Sequence, residues 1–399
     1  MMAGISICLM LTGCWDYREV DRLATVMAIG VDRIPGSKMI LLTVQIASPE
    51  GKPSSKQTGG QGGAGPAYTV MNGEGKSLSE AISNLGTQSA RRIILSHCKL
   101  IVLGKALGEA GIGNILDGLK RDPEFRRTDW ILSTDKTAKE ILEKDMALEQ
   151  VPAIGLDLIL QNFGTAGGVL PMNCNNFFAH LNDDSKVSFT PLAQLEAAVG
   201  SPLDSEGKPK TLKIAKTAIY KNLRWVGVLN EDDSRAHWWL IDSPKGSKIT
   251  ITYTSKAQNN EEGEISFDIK EGKTTMTPQK SENGIAMNID MTAKVSLHEI
   301  EPISVNVNDP HQIEQLQFQV AETMKLQIEH TIDTAQKELK ADYVGFAGSI
   351  HNGYPVEWKN IKDNWDDIFP TVKYHISCEV EIIGTSIISN PTLQSKPEE

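Results

Sequence analysis

The sequence predicts an α+β protein of two or three mixed domains, and three observations predict it. Its 399 residues are too many for one core at roughly 150 residues per domain. Residues 15 to about 195 alternate strand-like and helix-like segments, the pattern of elements packed around a mixed sheet. The second half runs through several alternating strands and then one amphipathic stripe near residues 310–341.

Taken in order, Thr25–Asp32 and Met39–Ala47 are Val, Ile and Leu-rich runs separated by Pro35-Gly36-Ser37, which reads as a hairpin. Residues 48–67 hold six Gly and three Pro and read as a flexible surface loop. Ser77-Leu78-Ser79-Glu80 is a capping box, and Leu78, Ala81, Ile82 and Leu85 form the apolar face of the helix it opens. Lys99–Leu103 reads as a buried strand, Ala110–Lys120 as a helix stopped by Asp122-Pro123, Asp129–Leu132 as a strand and Thr137–Lys144 as a short helix. Gly200–Lys210 reads as a linker, and Ala215–Leu229 as two strands about a turn at Lys221-Asn222. Ser234–Leu240 is a candidate short helix, and residues 248–255, 264–269 and 285–297 are strand-like. Asp309 fits a helix N-cap, Pro310 the first turn, and Gln312 the third position of a capping box. From there Ile313, Leu316, Val320, Met324, Ile328, Ile332, Ala335 and Leu339 advance by threes and fours, one face of a helix of about 30 residues and about 45 Å. Such a helix packs across a sheet or, alternatively, forms a coiled coil or docks a partner. Lys373–Ile383 is a closing strand, and residues 390–399 are a polar tail.

Composition narrows the function classes. Forty Lys and Arg stand against 51 Asp and Glu, for a net charge of −11. A uniformly acidic chain lacks the positive field that nucleic acid or an anionic lipid surface requires. No run of 18 apolar residues occurs, so the sequence shows no transmembrane helix.

Residues 1–13 are uncharged and largely apolar, and they end at Leu11-Thr12-Gly13-Cys14. As a helix they would span roughly 20 Å, short of a hydrocarbon core. They read instead as the apolar centre of a secretory signal without a basic flank. Leu-Thr-Gly-Cys looks like a bacterial lipobox, where small residues before the Cys permit cleavage and the thiol receives a diacylglycerol. Cys14 is therefore the candidate lipidation site. A buried strand carrying an ordinary cysteine is the competing reading, and the abrupt switch to Asp16, Arg18, Glu19, Asp21 and Arg22 argues against it. Cys98, Cys174 and Cys378 are too few and too scattered for a disulfide framework, though one bridge remains open.

No catalytic or metal-binding pattern is complete. Gly75-Lys76-Ser77 lacks the first Gly of a P-loop, because residue 70 is Val70. Gly60-Gln61-Gly62-Gly63-Ala64-Gly65 fits G-x-G-x-x-G but sits in a low-complexity loop. No G-x-S-x-G occurs, and His298-Glu299 has no second His. His97 and Cys98 are neighbours whose side chains point oppositely in a strand. Asp183-Asp184 and Asp366-Asp367 read as solvated turns. Trp225, Trp238 and Trp239, with Trp358 and Trp365, read as core anchors or, alternatively, as a partner-binding patch in the C-terminal half. No cofactor and no metal site is expected, and the chain is expected not to be an enzyme.

Several blocks carry a family resemblance. Cys14-Trp15-Asp16-Tyr17-Arg18-Glu19-Val20 resembles the mature start of the Ger(x)C spore germination lipoproteins. Ala28-Ile29-Gly30-Val31-Asp32 is similar to their next block, as are Ser96–Gly104 and Arg121-Asp122-Pro123-Glu124-Phe125-Arg126. Trp225–Glu231, Asp342 with Gly345 and Phe346, and Trp358 and Trp365 before Phe369-Pro370 follow in family order. The departures are the missing basic flank and a Gly-rich insertion at 57–65. The resemblance implies three mixed α/β domains, each built around a mostly antiparallel or mixed sheet with flanking helices. Expected boundaries are a signal segment at 1–13, domains at 14–195, 196–245 and 246–389, and the tail at 390–399. It further implies the C subunit of a nutrient germinant receptor, lipid-anchored through Cys14 on the outer face of the spore inner membrane. Its implied partners are the integral-membrane A and B subunits. A substrate-binding lipoprotein that hands a small solute to a transporter is the alternative. That reading needs two similar lobes about a pocket, and the chain shows no internal repeat.

Overall fold

A computed structural model describes residues 22–384, apart from 49–66, 147, 164–167, 198–209, 243–244, 256–260, 282–283, 301–304 and 306–308. The Gly-rich loop, the linker, the polar tail and the signal segment expected from the sequence lie outside these residues or largely so.

The mixed α/β class holds, and the strands form two sheets. The first has nine strands: β1 (Leu23–Arg33), β2 (Ile40–Ala47), β3 (Tyr68–Gly75), β4 (Arg92–Ile94), β5 (Leu100–Gly104), β6 (Trp130–Thr134), β7 (Val187–Ala197), β8 (Lys210–Lys221) and β9 (Arg224–Leu229). Their order is β3-β2-β1-β5-β6-β7-β8-β9, with β4 beside the start of β1. The centre, β1-β5-β6-β7, is parallel, and both flanks are antiparallel. Parallel strands are buried on both faces, which explains why Leu100–Gly104 is a continuous apolar run with every residue buried. Helices cover the two faces: α1 (Leu78–Gln88), α2 (Lys105–Ala110), α3 (Gly113–Arg121), α4 (Ala138–Leu142), α5 (Pro152–Gln161) and α6 (Cys174–Asn182).

The second sheet has four strands in sequential order: β10 (Lys248–Ser255), β11 (Glu261–Ser281), β12 (Gly284–Ile300) and β13 (Tyr374–Gly384). Along β12, alternate residues from Met287 to Leu297 are buried, the period-2 pattern of a sheet with one wet face. Helix α7 (Glu231–Ile241) precedes this sheet, and α8 (Pro310–Asp333) lies against β13, β10 and α7. The predicted stripe is the packed one: Leu316, Val320, Met324, Ile328, Ile332 and Ala335 are all buried. At its end Thr334–Leu339 widens into π-helix, followed by α9 (Phe346–Gly353), α10 (Pro355–Ile361) and α11 (Trp365–Ile368).

Three of the elements or groupings expected from the sequence are placed differently in the structure. Ala110–Lys120 is not one helix: Gly111, at φ +111°, breaks it between α2 and α3, a conformation that favours glycine. Strand β11 runs 21 residues where only 264–269 is expected, and its second half includes Pro278. There β10 no longer pairs with β11, so Pro278 lies on an open edge where its missing N–H is tolerated. Finally, β8 and β9, expected in a middle unit, extend the first sheet through β7. The two sheets differ in strand number and order, which removes the paired lobes that a solute-binding lipoprotein would need.

Candidate functional site

Cys14, the candidate lipidation site, lies outside the described residues. So does Gly60–Gly65. The remaining candidates have structural roles. Ser77 caps α1, accepting from Glu80 N at 3.2 Å, while Glu80 accepts from Lys76 N at 2.8 Å. Cys98 is buried with its Sγ 3.3 Å from Leu100 O, and burial pushes its thiol up. Burial likewise pushes Cys174 and Cys378 up to about 12, so none of the three is a reactive thiolate at neutral pH. All three are free thiols. Among the described residues no three His, Cys, Asp or Glu side chains gather as a metal site.

What the structure does bring together is a set of buried carboxylates, each serving a chain junction. Asp32, in the second resemblance block, accepts from Ala138 N at 2.7 Å and Lys139 N at 3.1 Å. It thereby caps α4 from β1, and burial raises its pKa against these two bonds. Asp342 accepts four donors: Gly345 N, Phe346 N and Ala347 N at 2.9, 3.0 and 2.7 Å, and Trp365 Nε1 at 3.1 Å. Asp233 on α7 accepts from Thr331 Oγ1 at 2.9 Å and faces His330 Nδ1 at 2.7 Å. That bond and charge raise the His330 pKa and clamp α7 to α8.

Asp129 gives a pH test. It accepts from Arg126 N at 3.1 Å, but burial dominates and pushes its pKa up to about 6 from 3.8. A raised folded-state pKa means that its favourable contribution is full below about pH 4 and is lost as pH rises through about 6. The amide introduced by Asp129→Asn does not titrate and can keep the Arg126 bond. Thermal unfolding followed by circular dichroism should therefore show the midpoint of that variant, relative to wild type, rising between pH 4 and pH 6. A pH-independent difference would rule this out.

The two sheets meet at a junction built from rings and ion pairs. His237 of α7 lies edge-on to Phe189 of β7, with centroids 4.5 Å apart, and to Tyr343 at 5.3 Å. Its Nε2 lies 3.1 Å from Tyr343 O, and burial pushes its pKa down to about 3. The ring is thus neutral and acts as a wedge. Within the first sheet, Tyr220, Ser133 and Thr190 share a buried hydroxyl chain, each link 2.7 Å. Leu339, from the π-helical turn, sits over Gly227 of β9, where a Cβ would collide with it.

The junction also decides between the two aromatic readings, in favour of the core, and corrects part of the acidic one. Trp225, Trp238, Trp239, Trp358 and Trp365 are all buried, the most exposed at 8%. They are core anchors, and these five leave no tryptophan surface for a partner in the C-terminal half. Asp184 is not a solvated turn residue: it accepts from Trp358 Nε1 at 2.7 Å and pairs with His351 at 2.7 Å. Asp366 pairs with Lys221 of β8 at 2.8 Å. Both acids tie the C-terminal helices to the first sheet, contacts that long separations in sequence conceal.

Two family descriptions match this architecture end to end. Residues 16–195 match the spore germination protein N-terminal domain, and residues 215–386 match the spore germination B3/GerAC-like C-terminal domain. The chain belongs to the Ger(x)C spore germination family. Strands β8 and β9 lie wholly or largely within the second matched region, so the first sheet of this Ger(x)C protein draws on both. The chain is 25% identical to spore germination protein KC of Bacillus subtilis over 96% of its length and 94% of the relative. It is 23% identical to spore germination protein B3 of the same organism, covering 94% and 96%. The crystal structure of the GerBC protein superposes with a TM-score of 0.53 at 18% identity, over 89% of this chain and 96% of that one, a likeness of fold.

Proposed function

We propose that this chain is the lipid-anchored C subunit of a spore nutrient germinant receptor, non-catalytic and required for receptor assembly or signalling. The observation that carries the reading is the match of both Ger(x)C regions together with Leu11-Thr12-Gly13-Cys14, which ends two residues before the first match begins. Diacylglycerol on Cys14 holds the protein on the outer face of the spore inner membrane, beside integral-membrane A and B subunits. Among the described residues no helix is long and apolar enough to cross a membrane. With a net charge of −11, adsorption to anionic lipid is unfavourable. The acyl chains supply the affinity instead, at about 0.8 kcal/mol per buried CH₂. Confinement at the surface then raises the effective concentration against membrane partners without any new contact.

The test is Cys14→Ala in its own spores. Membrane fractionation should show the variant released to the soluble fraction, and spores carrying it as their sole copy should respond poorly to nutrient. Unchanged membrane association would refute the anchor, and normal germination after deletion in a strain lacking paralogues would refute the receptor role.

A further inference from the structure

We propose that the groove between α3, α6 and the β8–β9 turn is a docking site for a segment of a partner protein that presents a large apolar side chain beside a carboxylate. The groove has a volume of about 380 Å³. Leu116, Phe178, Leu181 and Leu223 make its apolar walls, and Lys120 and Lys186 stand at its edge. An apolar floor within a polar rim is the anatomy of a protein interface. The volume lies at the small end of ligand pockets, and the polar groups at the rim are exposed rather than buried and convergent. Those features suit an inserted side chain better than an enclosed metabolite.

Charge selects the partner. In a chain with eleven more acids than bases, neither rim lysine has an ion-pair partner among the described residues. Lys120 Nζ lies 4.5 Å from the Phe178 ring centroid. The one acid on the groove, Asp117, is taken by Arg121 at 2.8 Å. Lys186 is exposed on the loop before β7. Two lysines without an ion pair among the described residues, set beside apolar walls, complement a carboxylate adjoining an apolar side chain. The hollow on the open face of the second sheet has no such bias, because Glu271, Glu379 and Glu381 outnumber Lys273 and Lys294, and Lys294 pairs with Glu271 at 3.3 Å.

Backbone strain marks the same place. Lys186, Asn222 and Leu223 have φ of +50°, +50° and +65°, three of the four non-glycine residues in the left-handed region among those described. Asn222 N donates to Lys186 O at 3.1 Å, and Ile112 N donates to Leu223 O at 3.0 Å, so the strained residues brace one another around the groove. Positive φ at both central positions of a two-residue hairpin loop is the type I′ arrangement, in which Asn-Gly is preferred. Leucine in second place carries a backbone cost and leaves its side chain 38% exposed. That side chain forms part of the groove wall.

The test uses the full chain and two fluorescein-labelled peptides, Gly-Glu-Phe-Leu-Glu-Gly and its counterpart with both Glu replaced by Lys. Fluorescence anisotropy should show saturable binding of the acidic peptide, at least tenfold tighter than the basic one. Lys120→Glu with Lys186→Glu should reverse that preference. Leu223→Gly should leave the melting temperature equal or higher while weakening the acidic peptide about fivefold or more, a split that loss of folding cannot produce. Absence of saturable binding up to about 1 mM, equal affinity for both peptides, or an unchanged preference in the double variant would each overturn the proposal. Binding of phosphatidylglycerol vesicles abolished by the same double variant, without peptide binding, would also overturn it, in favour of a lipid surface. None of these readouts depends on the receptor assignment.

Discussion

Asp342→Asn should destabilise the protein by about 3 kcal/mol or more. The carboxylate is buried, and its two oxygens divide four N–H donors evenly. Oδ1 accepts from Gly345 and Phe346, and Oδ2 from Ala347 and Trp365. Asparagine keeps one acceptor and turns the other into an NH₂ group, so one pair of donors must face a third donor. Buried donors left unsatisfied cost about 1–3 kcal/mol each. The loss falls at the start of α9, which has a left-handed Gly345 as its N-cap and no other side-chain cap. Burial sets the Asp342 pKa at about 6 despite its four donors, so at pH 7.5 the comparison is between a carboxylate and an amide. Urea unfolding at that pH should show the midpoint shift. Trp365→Phe, which removes one donor and keeps most of the ring, should cost less. Equal losses in the two variants would show that ring packing, not the carboxylate, carries the effect.

Gly104→Ala should cost about 2–4 kcal/mol, a large effect for one methyl group. Gly104 ends β5, and its φ of −72° would suit any residue. The obstacle is steric: a Cβ there would overlap Asp32 Oδ1 and stand 3.4 Å from Ala138 N. That carboxylate cannot swing away freely, because Ala138 N and Lys139 N hold it. Moving it uncaps α4, which also presses on Gly30, where a Cβ would lie 2.8 Å from Ala138 Cβ. Gly86→Ala is the matched control. It is exposed within α1 with nothing near its would-be Cβ, so it should stabilise by about 0.5–1 kcal/mol. Thermal unfolding should therefore move in opposite directions for the two variants. The same direction in both would discount the overlap at Gly104.

Local signals are legible in the chain because they act over a few residues. Ser77 and Asp309 both cap the helices that follow them. The stripe of α8 repeats every three or four residues, so its buried face is visible without knowing what covers it. Lys221-Asn222 reads as a turn region, and the loop centres on Asn222 and Leu223, one residue later. By contrast α5 and α6 carry no clear linear signal. Helix α5 is apolar nearly all round, with Pro152, Ala153, Gly155, Leu156 and Leu160 buried, so it has no contrasting face to reveal a period. The long second half of β11 is masked by Pro278, whose tolerance depends on where a neighbouring strand stops.

What the sequence hides involves partners far apart in the chain. Asp184 and Asp366 look like solvated acids because His351, Trp358 and Lys221 are distant in sequence. The Trp residues suit either core or surface, since a large aromatic side chain fits both and only packing chooses. Family membership and the candidate anchor at Cys14 need no coordinates, because ordered blocks and a lipobox-like run are linear patterns. The joining of β8 and β9 to the first sheet, the burial of the five C-terminal-half tryptophans and the strained groove around Leu223 were decided by tertiary contacts. Such contacts are set by the total free energy of packing, to which each local segment contributes only a part.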